Sequence, residues 1–316
     1  MPRSFVATSP TEIDRLGGLW RSQYRPAVHT LFQSFEWNLL AARCFRGEQP
    51  HVIAVEEGAG AAILPACLAE GRLSFLGDSL FDYRDLLADS PECAAAAWSQ
   101  LSEVRRPFDL TALRGADAED RWRTMGFNTA PFCNAPAVRR ADVDAVEFES
   151  RHHRSARLLR RLSRGGVSFH ERTPEPALLR AIYEAKAAQV VDTGENLFTE
   201  PARRDFLIAA AALGGCDVFT FETAGALVAA LVTFRDGEVR RFYTIYYDRA
   251  WAHYSPGVAL LFEVTRRTLA AGLDCDYMTG EQPHKVRFAT SSVPLYRVSA
   301  SAAELADSAA ARALAA

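Results

Sequence analysis

The chain has 316 residues, a formal net charge of −3 and 49% hydrophobic residues. This length suffices for one large or two ordinary domains with a sizeable core, and the near-neutral charge argues against a general nucleic-acid binder. The six cysteines are scattered without a Cys-x-x-Cys pair, which favours reduced thiols over disulfides or zinc. No apolar run reaches membrane-spanning length, and the first residues lack the apolar core of a signal peptide. We therefore expect a soluble cytoplasmic protein without a metal centre.

The first half of the chain predicts helices alternating with short strands. Its predicted helices cover residues 10–24 (with Thr11 as N-cap), 35–45, 91–105 and 117–125, and its predicted strands cover residues 52–56, 61–68, 73–76 and 108–111. A Gly-rich turn between the first two strands indicates a hairpin. Residues 131–136, with proline at both ends, are expected to be irregular. The cluster Asp82-Tyr83-Arg84-Asp85 is interpreted either as an exposed turn or as a polar wall of a substrate cleft.

The composition changes at Arg151. Residues 151–164 contain six arginines and two histidines but no acid. On a helix, Arg154, Arg157, Arg161 and Arg164 share one face, and leucines occupy another. This pattern is typical of a solvated amphipathic helix, and it also fits a patch that binds phosphates. We expect the helix to end at glycines 165 and 166 and the two halves of the chain to meet near residues 145–150.

The second half predicts a strand, two helices, three antiparallel strands, a loop, a helix, a strand, a short helix and a last strand. The predicted strands cover residues 167–171, 217–222, 226–235, 238–247, 274–279 and 294–300, and the two helices after the first strand cover 177–191 and 201–213. Asp236-Gly237 indicates a tight hairpin. Ser255 is expected to cap the next helix, with Pro256 at its first position and Gly272 at its end. A strand that leads into a helix N-terminus is either an anion site or a plain α/β crossover.

Two stretches of the second half carry specific motifs. Tyr243-Thr-Ile-Tyr246-Tyr247-Asp248 precedes Tyr254-Ser255-Pro256-Gly257, and residues 276–288 read Asp-Tyr-Met-Thr-Gly-Glu-Gln-Pro-His-Lys-Val-Arg-Phe. The first half adds Gln33-Ser-Phe-Glu-Trp37, Phe75-Leu-Gly77 and residues 82–85. Together these motifs resemble the CelD/BcsL-type GNAT acetyltransferases, which are related to the Fem-type aminoacyltransferases. The resemblance covers roughly residues 30–298.

The resemblance implies an α/β (α+β) fold made of two tandem GNAT-like halves, each a mostly antiparallel sheet flanked by helices. We expect residues 1–148 to form a half without a cofactor loop, residues 149–300 to form the acyltransferase half, and residues 301–316 to form an Ala-rich tail. The sequence departs from the family pattern at Ile245 (usually Gly), Thr279 (often Arg) and His284 (usually aromatic). These departures concern the acceptor site more than the fold.

The implied activity is transfer of an acyl group from acyl-CoA to an amine of an amino sugar or related small molecule, as in polysaccharide or cell-envelope biosynthesis. Such transfer requires a base for the amine, a proton for the departing thiolate and amide groups for the cofactor pyrophosphate. The residues expected at the catalytic centre are Glu281 as general base, with Tyr246 and Asp248. The residues expected to bind the cofactor are Tyr243, Tyr247, Arg249, Ser255, Gly257 and Val258. The residues expected to bind the acceptor between the halves are Asp82, Tyr83, Arg84, Asp85, Lys285 and Arg287. Alternation along the strand predicts that Tyr243 and Tyr247 share one face and that Tyr246 lies on the other.

Two other functions are open at this stage. A Fem-like aminoacyltransferase would use aminoacyl-tRNA as donor, and the basic segment 151–164 favours it, whereas the near-neutral charge does not. A catalytically inactive GNAT scaffold would bind an anionic ligand or a partner protein. The sequence leaves open the acyl chain length, the acceptor, N- versus O-acylation and the oligomeric state.

Overall fold

The structure is a computed structural model that describes residues 3–77, 80–115, 122–189 and 197–306. The chain forms two compact units, Met1–Cys133 with Pro294–Ala316 and Asn134–Val293. This boundary precedes the one predicted at residue 148, because residues 134–148 pack with the second unit and the last strand joins the first. The functions assigned to the two predicted halves stay predictions.

The first unit contains a mostly antiparallel sheet with helices against it. Its strands are β1 Arg3–Ala7, β2 Gln49–Glu57, β3 Gly60–Ala69, β4 Arg72–Phe75, β5 Leu87–Ala88, β6 Phe108–Leu113 and the end of β13 Ser291–Ala300. Its helices are α1 Pro10–Arg15, α2 Gly17–Gln23, α3 Phe35–Cys44 and α4 Pro91–Glu103, with a 3-10 turn at Leu31–Gln33. Strands β1 to β4 pair antiparallel in order, β6 is parallel to β4, and β13 is antiparallel to β6.

The core of the first unit lies between the sheet and α4. Trp98 of α4 is 1% exposed and contacts Trp122 edge-on, with ring centroids 5.9 Å apart. Val298 of β13 belongs to the same buried cluster. Burial of large apolar side chains is the main favourable term in folding. Because Val298 packs in this cluster, strand β13 is an integral part of the first unit although it comes from the far end of the chain.

The strands of the second unit also pair in a mostly antiparallel arrangement. Its strands are the end of β7 Asn128–Val138, then β8 Ser168–Arg172, β9 Cys216–Thr223, β10 Ala226–Asp236, β11 Val239–Tyr247 and β12 Asp274–Asp276. Its helices are α5 Ala145–Arg151, α6 His153–Arg164, α7 Pro176–Gln189, α8 Pro201–Ala211, α9 Pro256–Ala270 and α10 Pro283–Phe288. The described strands run in the order β7, β12, β11, β10, β9, β8, and β11–β12 is their parallel pair.

Helix α9 is the central helix of this unit. Eleven of its 15 residues are buried, among them Phe262, which stacks on Phe148 of α5 at 5.6 Å. The predicted apolar stripe is therefore part of a wider buried surface, since α9 has the sheet on one side and α5 and α6 on another. This burial holds the N-terminus of α9 rigidly beside the end of β11.

The predicted elements are largely confirmed, with four corrections. The N-cap of α1 is Ser9 rather than Thr11, because the Ser9 hydroxyl accepts the Glu12 amide at 3.3 Å. Residues 131–136 lie in strand β7, whose Pro136 carbonyl accepts the Tyr277 amide at 2.9 Å although proline itself has no N–H to donate. Strand β12 ends at residue 276 rather than 279, and the basic helix is broken at His152. The first residues of the helix predicted over 117–125 lie outside the described residues.

Candidate active site

Strands β11 and β12 diverge after a short parallel ladder. Val239, Arg240 and Arg241 pair with residues 274–276, and β11 then continues to Tyr247 while β12 ends. The next stretch of β11 therefore has β10 on one side and no β12 residue opposite it on the other. A ligand that presents hydrogen-bonding groups can lie along this exposed edge.

The end of the ladder is held by a buried ion-paired cluster. Arg241 donates through Nε to Asp236 at 2.7 Å and through a terminal nitrogen to Asp276, and none of the three side chains is more than 10% exposed. Asp276 also accepts the Met278 amide at 2.8 Å. Since buried charges are tolerated only when they are paired and hydrogen-bonded, this cluster fixes the point at which the strands separate.

A β-bulge changes the faces of the tyrosines on β11. Thr244 is opposite Val232 and Phe242 is opposite Thr233, so Tyr243 is the extra residue. The Tyr243 ring contacts Phe234 at 5.6 Å, whereas the Tyr247 ring lies beside Gly257 of α9.

The position of Phe234 in β10 shows on which face of the sheet its side chain lies. Phe234 is three residues beyond Leu231, which packs in the cluster that contains α9. Phe234 therefore lies on the opposite face of the sheet, and Tyr243 lies there with it. The prediction that Tyr243 and Tyr247 share a face is wrong, because a bulge interrupts the two-residue alternation.

Tyr246 is half-buried near Asp248. Burial raises the pKa of its hydroxyl, and the neighbouring carboxylate of Asp248 raises this pKa further. Tyr246 therefore keeps its proton at neutral pH and can donate it. Asp248 caps the 3-10 helix Arg249–Tyr254 by accepting the Ala250 amide at 2.9 Å, which is the anchoring function of an N-cap.

The loop between β11 and α9 contains the 3-10 helix Arg249–Tyr254. Arg249 is exposed, and its guanidinium donates to the Gln189 carbonyl of α7. Ser255 occupies the N-cap position in a left-handed conformation (φ 48°), and its side chain makes no capping bond. The predicted position of Ser255 is confirmed, but its predicted hydroxyl cap is absent.

The start of α9 presents hydrogen-bond donors. The first intrahelical bond runs from the Ala259 amide to the Ser255 carbonyl, and no described residue accepts the amides of Gly257 and Val258. A Cβ at residue 257 would lie 3.2 Å from Tyr247, so glycine is what lets the ring lie this close. On β11, the Thr244 hydroxyl is buried and has no partner within the described ranges. These donors fit the phosphates and the polar arm of an acyl-CoA, although Pro256 removes one amide that other helices would offer.

The loop that carries Glu281 is anchored on both sides. Met278 is buried with a left-handed φ of 65°, and the Gly280 amide donates to the Asn134 carbonyl of β7 at 3.0 Å. Lys285 donates through Nζ to the Thr279 carbonyl at 2.7 Å. Glu281 itself is exposed. The carboxylate is thus carried by a fixed backbone and is accessible to a substrate.

Cationic groups surround the start of α10. Burial lowers the pKa of His284, and Lys285, Lys186 and Arg287 lower it further. Burial also lowers the pKa of Lys186, which lies on α7. Arg287 is exposed and faces the segment 151–155, with which it lines a cavity. A positive field therefore exists beside Glu281, and it favours an anionic group on whatever binds there.

In the first unit, the predicted acceptor residues 82–85 are anchored within the structure. Tyr83 is 3% exposed, and Arg84 donates through Nε to the Phe81 carbonyl at 2.6 Å. Asp85 accepts the amide and Nε of Arg114 at 2.7 and 2.5 Å, while Asp82 is half-buried. The interpretation of residues 82–85 as an exposed turn is wrong, because these contacts keep the segment buried or half-buried within the first unit.

Asp85 also lines a cavity of about 530 Å³ in the first unit, together with His29, Asp89 and Arg114. The Arg114 guanidinium lies 5.6 Å from the centre of the Tyr83 ring. Burial lowers the pKa of His29, and Arg114 adds to that effect. This cavity was not anticipated from the sequence, since His29 is far from residues 82–85 along the chain. A role of the segment in acceptor binding stays a prediction.

A family-model match falls within the second unit. Residues 149–286 match the family model of the acetyltransferase (GNAT) domain. The matched segment contains β11, α9, β12 and Glu281. This match supports the assignment of the protein as a GNAT-type transferase. A comparison with curated proteins finds no match.

Solved structures resemble the whole chain. The C-terminal domain of a putative lysylphosphatidylglycerol synthetase from Agrobacterium fabrum is 12% identical, with a TM-score of 0.63 and 95% of each chain covered. A tandem GNAT protein from the clavulanic acid biosynthesis pathway is 11% identical (TM-score 0.60; 96% of this chain and 99% of that one). FemX is also 11% identical (TM-score 0.59; 94% and 96%). The expected tandem GNAT-like fold is thereby confirmed, while the CelD/BcsL assignment stays a prediction.

No group of three or more His, Cys, Asp or Glu in the described ranges is placed to hold a metal ion. None of the helices described here combines the length and apolar character that a bilayer span requires.

The buried cluster around Arg241 was missed in the sequence. Its signal is the pair Arg240-Arg241 inside an otherwise apolar strand, since a buried arginine needs an acidic partner. Asp236 had been assigned only to a hairpin turn. The break at His152 had no comparable signal, because residues 151–164 keep a helical pattern throughout.

Proposed function

We propose that this protein is an N-acyltransferase that moves an acyl group from acyl-CoA to an amine on a small acceptor such as an amino sugar. The observation that carries this proposal is the divergence of β11 and β12 beside the N-terminus of α9. Gly257 and Val258 there offer two backbone amides without an acceptor in the described chain. An acyl-CoA would supply an activated acyl group as a thioester and a diphosphate for those amides.

The reaction needs two proton transfers, and a different residue of the second unit carries out each of them. Glu281 takes the proton from the attacking amine, since it is exposed on an anchored loop. Tyr246 gives a proton to the departing thiolate, since its raised pKa keeps it protonated. Asp248 positions the loop and sustains the pKa of Tyr246. General acid–base catalysis of this kind contributes about 10²- to 10⁴-fold to a rate.

The donor would lie along the open edge of β11, with its phosphates at Gly257 and Val258. Arg249 and the backbone of Ser255 border that position, and Tyr247 packs against it. Tyr243 lies on the other face of the sheet, beside Phe234. It would contact the donor only through the backbone of the bulge. On the acceptor side, Lys285 supports the Glu281 loop and Arg287 faces a basic cavity.

One observation favours a second candidate, an aminoacyltransferase that uses aminoacyl-tRNA. Arg154, Arg157, Arg161 and Arg164 are exposed on α6, and none of them forms an ion pair with a described residue. Arg161 lies over the Tyr254 ring at 4.6 Å, next to the donor loop. Such a face can contact the phosphates of a nucleic acid.

Thiol release tests the first proposal against the second. The full chain is incubated with acetyl-CoA and a panel of amino sugars and amines, and free thiol is measured. Amine-dependent thiol release that is lost in Glu281→Gln supports the acyl-CoA reaction. Transfer from aminoacyl-tRNA without any thiol release would replace it with the second candidate. Absence of both reactions, with ligand binding intact, would indicate an inactive scaffold.

A further inference from the structure

The second unit contains a basic cavity of about 380 Å³. It is lined by Arg151, His152, His153, Arg154, Ser155 and Arg287. A water molecule takes up ~30 Å³ in the liquid, so the cavity has room for a small ligand group with its hydration. The six lining residues contribute three guanidinium groups and no carboxylate.

The break between α5 and α6 builds this cavity. His152 leaves the helical conformation (φ −111°, ψ 34°), and its carbonyl accepts the amides of Ser155 and Ala156 at 2.8 and 3.3 Å. Its ring is held between Phe148 and Phe288, at centroid distances of 4.6 and 4.9 Å. Because Phe288 follows Arg287 directly, the same contact brings Arg287 to the segment 151–155.

Only one of the three arginines in the cavity has an acidic partner within the described residues. Arg154 and Arg287 form no ion pair with any residue in the described part of the chain, and Arg151 pairs with Glu147 one helical turn away. Burial lowers the pKa of His152, and Arg151 and Arg287 lower it further. The His152 ring thus stays neutral at physiological pH, while the guanidinium groups keep the cavity positive.

Ser155 adds a hydroxyl group to the lining of the cavity. The residue is 3% exposed and lines the cavity. A tetrahedral oxyanion in the cavity would accept this hydroxyl together with the guanidinium groups of Arg154 and Arg287, which suit phosphate geometry.

We propose that this cavity binds a phosphoryl group carried by the acceptor, so that the acceptor is a phosphate monoester of an amino sugar or a similar small amine. This inference rests on the proposed acyltransferase function. Arg287 lies on α10, which starts two residues after Glu281 and has six residues. Such a helix is about 9 Å long, so one small molecule can reach from the cavity to the general base.

Calorimetric titration of the full chain with inorganic phosphate tests the site directly. We expect saturable binding that weakens at least tenfold in Arg154→Gln and Arg287→Gln and also weakens in Ser155→Ala. Arg160→Gln is the matched control, because it removes the same charge from an exposed position of α6 outside the cavity. Absence of phosphate binding at millimolar concentration would overturn the proposal, as would equal weakening by Arg160→Gln. Circular dichroism verifies that each variant is folded.

Acceptor kinetics test the assignment to the acceptor. With acetyl-CoA as donor, glucosamine 6-phosphate should show a KM at least tenfold below that of glucosamine, and Arg287→Gln should remove this difference. Equal KM values would overturn the inference and leave the acyltransferase proposal standing. Phosphate binding without any thioester binding would instead overturn the acyltransferase proposal and the acceptor assignment, while the phosphoryl site itself would remain.

Discussion

Both units contain a cavity beside charged residues, but acidic residues line only the cavity of the first unit. There Asp85 is paired with Arg114, and Asp89 accepts the Ala61 amide at 2.9 Å. In the second unit the cavity lining holds three arginines and no acid, and Arg154 and Arg287 have no acidic partner in the described part of the chain. Paired charges mainly hold a segment in place, whereas unpaired ones create a field that a ligand can neutralise. This contrast, more than the cavity volumes, distinguishes the unit that we assign to catalysis.

Replacing the proposed base gives the largest expected effect. Glu281→Gln keeps the size of the side chain but removes its proton acceptor, so kcat should fall about 10²- to 10⁴-fold with little change in donor binding. Glu57→Gln, an exposed carboxylate of the first unit, is the matched control and should change kcat less than threefold. Steady-state thiol release measures both. A similar kcat for Glu281→Gln and the wild type would remove Glu281 from the mechanism.

The buried cluster at the strand divergence should dominate the stability of the second unit. Arg241→Ala leaves Asp236 and Asp276 buried without their cation, which typically costs about 3–5 kcal/mol. Arg114→Ala in the first unit removes a less buried pair and should cost about 1–3 kcal/mol. Urea unfolding followed by circular dichroism compares the two. A smaller loss for Arg241→Ala than for Arg114→Ala would contradict this ranking.

Because Gly257 and Tyr247 are in contact, substitutions at these two residues should have non-additive effects on the free energy of unfolding. Gly257→Val places side-chain atoms against the Tyr247 ring, 3.2 Å from the new Cβ, and should reduce the free energy of unfolding by about 1–3 kcal/mol. Adding Tyr247→Ala removes the ring and should recover part of that loss. Strictly additive losses in a double-mutant cycle would show that the two residues do not interact.

The pKa values of two histidines should respond differently to salt, and this is the smallest expected effect. Burial alone lowers the pKa of His51 in the first unit, whereas Arg151 and Arg287 add to the lowering at His152 in the second. Salt screens charges, so raising it should raise the pKa of His152 and leave that of His51 nearly unchanged. NMR titration of the ring protons at two salt concentrations measures this. Equal shifts would mean that the arginines do not act on His152.

The same histidines predict a pH dependence of stability. Their pKa values are lowered in the folded state, so below about 6.5 the unfolded chain binds more protons than the folded chain. The free energy of unfolding should therefore fall as the pH drops from 6.5 through the folded pKa values. His51→Gln should reduce this slope in urea unfolding measured between pH 7 and pH 5.

The fold was predictable from the sequence where local patterns agree with tertiary contacts. The hairpin at Asp236-Gly237 and the start of α9 at Pro256 depend on local turn and capping preferences, and both were placed correctly. Strand β7 was missed because its prolines disfavour a strand locally, while its carbonyls pair with distant residues. The bulge at Tyr243 was missed for a similar reason, since it depends on register with β10.

The sequence motifs identified several residues of the candidate site, but they did not predict how those residues are arranged in space. Glu281 and Gly257 were singled out from residue type and order. Ser155 was not, because an isolated serine in a basic helix gives no sign that the residue will line a cavity. Such features depend on which distant residues pack together, and a sequence pattern does not encode that directly.

The central claim is that the second unit binds an acyl thioester at the start of α9. Isothermal titration with acetyl-CoA, longer acyl-CoAs and free CoA tests it most directly. The account predicts saturable binding by the wild type, retained binding by Glu281→Gln and at least tenfold weaker binding by Gly257→Val. Absence of binding by every thioester up to millimolar concentration would contradict it.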